Sequence, residues 1–110
     1  MGYDPELADR VRELISPAGR VEEKPMFGGL AFLLNGHMSV AVSRNGGLIV
    51  RVHPEDAERL LAGPHVEPMV MAGRETRRWL RVAPDGIATT GDLAGWVRRG
   101  LAVAGSLPPK

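Results

Sequence analysis

The sequence has no cysteine, which removes disulfides, thiolate metal sites and thiol nucleophiles together and leaves stability to an apolar core and hydrogen bonds. It also has no apolar run approaching the roughly 20 residues that a membrane-crossing helix needs. Its first residues, Met1-Gly2-Tyr3-Asp4-Pro5-Glu6, lack the basic stretch and apolar run of a secretory signal. A cytoplasmic location without a membrane partner is the expectation. Neither sign of charge dominates: 14 Lys and Arg stand against 13 Asp and Glu, far from the basic excess of a strong nucleic-acid binder. Residues 1–55 carry 6 basic and 7 acidic groups and residues 56–110 carry 8 and 6, a mild asymmetry.

Catalytic constellations are missing as well. His37, His53 and His65 are the only imidazoles, and none has the i, i+4 or paired spacing of a metal site. No serine lies in a nucleophile-elbow context. Each carboxylate falls where a helix cap, a first helical turn or a solvated face accounts for it. No catalytic, metal-binding or cofactor-binding residue is assigned, and a domain that is not an enzyme is expected.

What is present suits a folded domain. The 110 residues are 44% hydrophobic and 25% charged, and a chain of this size buries roughly 65% of its unfolded surface in one core. No repeat, linker or low-complexity tract divides it, so residues 1–110 are read as a single domain.

The period of the apolar residues sets the elements. Asp4-Pro5-Glu6 is a helix start, with an oxygen-bearing cap, proline at the first helical position and a carboxylate in the first turn. Leu7, Val11, Leu14 and Ile15 follow on one stripe, and Ser16-Pro17-Ala18-Gly19 ends the helix. From Val21 the pattern is extended: Val21 to Met26, Leu30 to Leu34, Met38 to Ser43 and Leu48 to His53. Asn35-Gly36 between two apolar runs signals a tight hairpin, and Arg44-Asn45-Gly46-Gly47 a looser turn. Met38, Val40 and Val42 alternate with Ser39, Ala41 and Ser43, which predicts one buried face and one mixed face, with Met38 and Val40 under the helices.

Pro54 opens a second helix with Ala57, Leu60 and Leu61 on its apolar side, stopped by Gly63-Pro64. Strands near Pro68 to Met71 and from Arg78 to Val82 lead to the Pro84-Asp85-Gly86 turn. A last helix from Thr90 or Asp92 carries Leu93, Trp96, Val97, Leu101 and Ala104 on one face, and Pro108-Pro109-Lys110 reads as a frayed end. The order α-β-β-β-β-α-β-β-α predicts an α+β fold of two layers, helices packed on an antiparallel sheet.

Glu23-Lys24-Pro25-Met26-Phe27-Gly28-Gly29-Leu30-Ala31-Phe32, followed by Asn35-Gly36-His37-Met38, resembles the signature of the TfoX N-terminal domain family, also called Sxy-like. The signature positions are Met26, Phe27, Gly28, Gly29, Asn35, Gly36 and Met38. The leading helix, the strand Leu48-Ile49-Val50-Arg51-Val52, Trp79 opening the late strand and the closing helix with Trp96 also fit, so the resemblance spans nearly the whole chain. It implies a fold similar to that of type III secretion chaperones and an association with regulation of natural competence. The full regulators carry a second, helical domain, so a chain reaching Lys110 is expected to be the N-terminal domain alone. The resemblance carries no catalytic residues.

Two segments invite a binding role. Arg74, Arg77, Arg78 and Arg81 surround Trp79 in the only dense basic cluster, which Arg98 and Arg99 would extend from the last helix. Such a set can grip phosphates while an aromatic stacks on a base, or it can be a solvated strand edge that discourages aggregation, with Trp79 at a dimer interface. Pro68-Met69-Val70-Met71 exposes one side of its pleat unless a partner covers it. Met26-Phe27-Gly28-Gly29 lacks the lysine of a phosphate loop and reads as a bend between strands with Phe27 in the core. The leading expectation is a regulatory or adaptor domain that binds an unidentified protein or a second copy of itself. The alternatives are a DNA-associated module using the Arg74 to Arg81 face, and a small-molecule-binding domain with a pocket between the sheet and the last helix.

Overall fold

The computed structural model describes residues 3–26, 28–44, 46–71 and 73–109, with the backbone alone described at Met71 and Arg77. Asp4 opens α1 (Pro5–Ile15) by accepting a hydrogen bond from the Glu6 N–H at 2.9 Å. Pro5 sits where a helix needs no donor. Four strands follow: β1 (Val21–Met26), β2 (Gly29–Leu34), β3 (His37–Val42) and β4 (Leu48–Arg51). Then come α2 (Pro54–Leu61), β5 (Val66–Met71), β6 (Arg74–Val82) and α3 (Thr90–Ser106). The Thr89 hydroxyl caps α3 by accepting from the Asp92 N–H at 3.1 Å. The element order is the one the sequence predicts, with short 3-10 turns added at Ser16–Ala18 and Pro84–Ile87.

The six strands form one sheet in the order β1-β2-β3-β4-β6-β5, and every neighbouring pair is antiparallel. The chain meanders through the first four strands, crosses by way of α2 to the far edge at β5, and returns with β6 between β5 and β4. Asn35 and Gly36 hold φ of 54° and 85°, the positive values that a two-residue hairpin demands. Met26 pairs with Gly29, closing a second tight hairpin at Gly28, whose φ is 75°. The predicted burial of Phe27 lies outside the described residues.

All three helices lie on one face of the sheet. Their apolar stripes, including Val11, Ile15, Ala57, Leu93 and Val97, close over Phe32, Val40, Val42, Val50 and Leu80 to form the main core. The opposite face carries a second apolar cluster of Ala31, Leu33, Met38, Ala41, Ile49 and Met69, with no helix over it among the described residues. No helix of the described residues is long and apolar enough to cross a membrane.

Two irregularities correct the sequence reading. In β3 the register steps from Phe32↔Val40 to Leu33↔Met38, so Ser39 is an extra residue. Its hydroxyl donates to the Phe32 carbonyl at 2.9 Å, a buried bond across the bulge. Met38 is thereby turned onto the helix-free face, while Val40 lies under the helices as expected. In β6 the register steps from Pro68↔Leu80 to Met69↔Thr76, leaving Arg77, Arg78 and Trp79 without partners on β5. This bulge breaks the alternation, and the charges of Arg74 to Arg77 mask extended backbone, so β6 begins at Arg74 rather than near Arg78. β6 is an interior strand, not a solvated edge; the edges are β1 and β5.

Candidate functional site

The register lines up one residue from every strand on the helix-free face. Lys24 pairs with Ala31, Ala31 with Ala41, Ala41 with Ile49, Ile49 with Arg81, and Arg81 with Glu67. The ladder thus has a charged end on each edge strand and a floor of two alanines and an isoleucine in the middle. A parallel row brings Glu22 beside Leu33, Leu33 beside Met38, and Arg51 beside Trp79. Met26 and Trp79, both half-buried, pack onto the same cluster.

Long side chains rather than a helix shield this floor. The Arg51 guanidinium stacks 4.7 Å from the centre of the Trp79 ring, and its Nη1 reaches the Met38 carbonyl at 3.5 Å. Arg81 reaches from the ladder to the Ser43 hydroxyl at 3.4 Å. Such stems cover apolar surface while the charged head stays near water. Arg51 is held below the ordinary arginine pKa, first because burial strips water from its charge and then because Arg78 repels it. The ion pairs among the described residues join Arg12 to Asp9 and Glu23 and Arg59 to Asp56. None involves Arg51, Arg78 or Arg81.

The structure divides the basic cluster. Trp79 and Arg81 lie on the helix-free face; Arg78 is exposed beside Arg51; Arg74 is exposed at the β5–β6 turn. The Arg77 side chain lies outside the described residues. Arg98 and Arg99 do not join the set, because α3 packs on the other side of the sheet, and Arg99 instead stacks on Trp96 at 5.0 Å. In the segment at β5, Met69 is buried in the second cluster and Val70 is 59% exposed; the Met71 side chain is not described. The signature residues Met26, Gly28, Gly29, Asn35, Gly36 and Met38 build the two hairpins that join β1, β2 and β3.

The helical side offers a different surface. A groove of about 470 Å³ runs between α2, the Pro64-His65 turn and α3, lined in part by Arg59, His65, Asp85, Asp92 and Trp96. A smaller groove of about 220 Å³ lies between Val52, α2 and Arg99, Ala102 and Val103 of α3, beside the point where Gly100 meets the backbone of β3 directly. The histidines are scattered: His37 Nε2 donates to the Pro108 carbonyl at 2.7 Å, tying down a tail read as frayed, while His53 precedes α2 and His65 follows it. Among the described residues no group of three or more His, Cys, Asp or Glu could hold a metal ion.

Sequence reasoning placed Arg51 with Ile49 on the mixed face of its strand but did not single out Arg51, Lys24 or the alanine pair as site residues. The available signal was an arginine in the otherwise apolar run Leu48-Ile49-Val50-Arg51-Val52, since a guanidinium two residues from a buried isoleucine must share its face.

The TfoX N-terminal domain model matches residues 13–104 of the chain. No curated protein gives a significant match.

Proposed function

The chain belongs to the TfoX N-terminal domain family, and from that premise we propose that it is a regulatory adaptor, without catalysis of its own, that binds a protein partner. The family is associated with regulation of natural competence. The working surface is the helix-free face of the sheet. The observation that carries this proposal is the Ala31-Ala41-Ile49 floor: an antiparallel sheet with one open face ordinarily makes that face polar, yet here three adjacent strands make it apolar and movable side chains are its cover.

DNA fits this surface less well. The ring face of Trp79 is already occupied by Arg51, so a base would have to displace the guanidinium before stacking. The floor is aliphatic, the basic residues are divided between two sides, and the net charge is +1.

A photo-crosslinking residue at Lys24 or Glu67, the exposed ends of the ladder, tests the proposal in the native host. Protein adducts that survive nuclease treatment are expected from both positions and not from Arg98 on α3. Adducts confined to Arg98, or to nucleic acid, would overturn it.

Self-association has one observation in its favour, the exposed Val70 on the edge strand β5. Edge strands pair readily with a second copy. Sedimentation equilibrium that shows a dimer, abolished by Val70→Lys, supports that route; a monomer at high concentration removes it.

A further inference from the structure

Granting the adaptor assignment above, we infer that the partner presents an acidic segment with an apolar anchor. Its carboxylates engage Arg51 and Arg81, and its anchor settles over Ala31 and Ala41.

The shape of the floor places the anchor. Ala31 and Ala41 are cross-strand partners, and larger side chains surround them: Leu33, Met38, Ile49 and Met26. The two shortest side chains of the cluster therefore lie at its centre, and the surrounding methionines can change rotamer to admit a guest.

The charges place the carboxylates. Lys24, Arg51 and Arg81 lie on this face against Glu22 and Glu67, and Arg78, next to Trp79 on β6, adds its positive charge at Arg51. Glu67 is the cross-strand partner of Arg81, yet no ion pair between them is among those of the described residues. Arg51 and Arg81 sit diagonally across β4 and β6, and their guanidinium groups reach apart, to the Met38 carbonyl and the Ser43 hydroxyl toward opposite ends of β3. Residues four apart in an extended segment are spaced about 13–14 Å apart and point the same way, so an acidic-x-apolar-x-acidic stretch matches both guanidinium groups with its anchor between them. Carboxylate binding would also relieve the repulsion between Arg51 and Arg78 and supply a counterion to Arg51, which is in no ion pair among the described residues. A second copy of this chain is a poor occupant, because a two-fold contact through this face would bring the same arginines together.

The test is titration of the isotopically labelled chain with a synthetic peptide in which Glu and Leu alternate with Ser, so that Glu and Leu share one side. Control peptides replace Glu by Gln, Glu by Lys, or Leu by Ser, and a single-stranded DNA oligonucleotide is titrated in parallel. The Glu/Leu peptide is expected to shift the amide signals of Ala31, Ala41, Ile49 and Trp79 and to bind about tenfold or more tighter than each control. Arg51→Gln and Arg81→Gln should each weaken it about tenfold, with Arg81→Gln retaining the parent's melting temperature. Equal affinity for the Gln peptide, tighter binding of DNA, shifts confined to the helices, or no peptide binding would overturn the inference. If the Gln peptide binds equally well while the ladder positions still crosslink to protein, the adaptor assignment stands and the acidic partner falls. If neither peptide binding nor adducts appear, both fall.

Discussion

Gly100 of α3 and Ser39 of β3 meet backbone to backbone: a methyl group on Gly100 would overlap the Ser39 carbonyl oxygen and lie 2.8 Å from Val40 Cγ1. A helix can approach a sheet this closely only where it has no side chain. The contact seats α3 directly on the bulge, which leaves no room for a ligand between the two layers at that point. It also leaves the opposite side of the sheet as the one without a covering helix.

Gly100→Ala should therefore destabilise the fold by about 1–2 kcal/mol, since the overpacking cost exceeds the gain in helix propensity. Gly95 is in the same helix, and there a methyl would meet only the mobile end of Arg99, at 3.7 Å. Gly95→Ala should stabilise by about 0.5–1 kcal/mol. Urea unfolding of the two variants checks the opposite signs; two changes of the same sign would contradict the packing described.

The same contact shows which parts of the fold were legible in the sequence. α1 could be read because Asp4, Pro5 and the Leu7-Val11-Ile15 spacing all act locally, and β1 to β3 because Asn35-Gly36 admits few conformations. The helix-free face could not, because it depends on register. One extra residue, Ser39, moves Met38 to the other side of the sheet, and alternation in the sequence gives no sign of it. Trp79 and Arg81, named together from the sequence, lie on the same face of the sheet. Their true companion, Arg51, comes from a strand 28 residues before Trp79 and meets it only through the β4–β6 pairing.

The bulge itself is testable through Ser39. Its side chain is fully buried and donates to the Phe32 carbonyl. Ser39→Ala removes the donor and leaves a buried acceptor without it, a loss of about 1–3 kcal/mol. Denaturant midpoints measure the loss. A change below about 0.5 kcal/mol would mean that the hydroxyl does not hold the bulge.

The Asn35-Gly36 hairpin predicts a conformational rather than a packing cost. Gly36 has φ of 85°, a region that strains any residue with a Cβ. Gly36→Ala should cost about 1 kcal/mol or more, while Asn35→Gly, at a φ of 54° that glycine adopts freely, should change stability by less than about 0.5 kcal/mol. Thermal unfolding of both variants distinguishes them, and a neutral Gly36→Ala would argue against a tight turn at this position.

A pH-dependent contribution joins α1 to the sheet edge. Arg12 Nε donates to Glu23 Oε2 at 2.6 Å and Nη2 donates to Oε1 at 2.8 Å, a two-pronged pair. The Arg12 bond holds the Glu23 carboxyl below its ordinary value, against the opposing effect of burial, and the same bond raises Arg12 further above any titration of interest. The folded chain therefore takes up the Glu23 proton less readily than the unfolded chain, whose glutamate titrates near 4.5. The stability from this pair is fully present above that value and is lost as pH falls through the lower folded one. Both side chains are partly exposed, so the pair is worth only about 0.5–1 kcal/mol even with its favourable geometry. Glu23→Gln should cost that amount at about pH 7 and nothing at about pH 2, where the parent's carboxyl is protonated. Urea midpoints at the two pH values check it. A deficit that persists undiminished in acid would show that Glu23 stabilises the chain by packing and not by its charge.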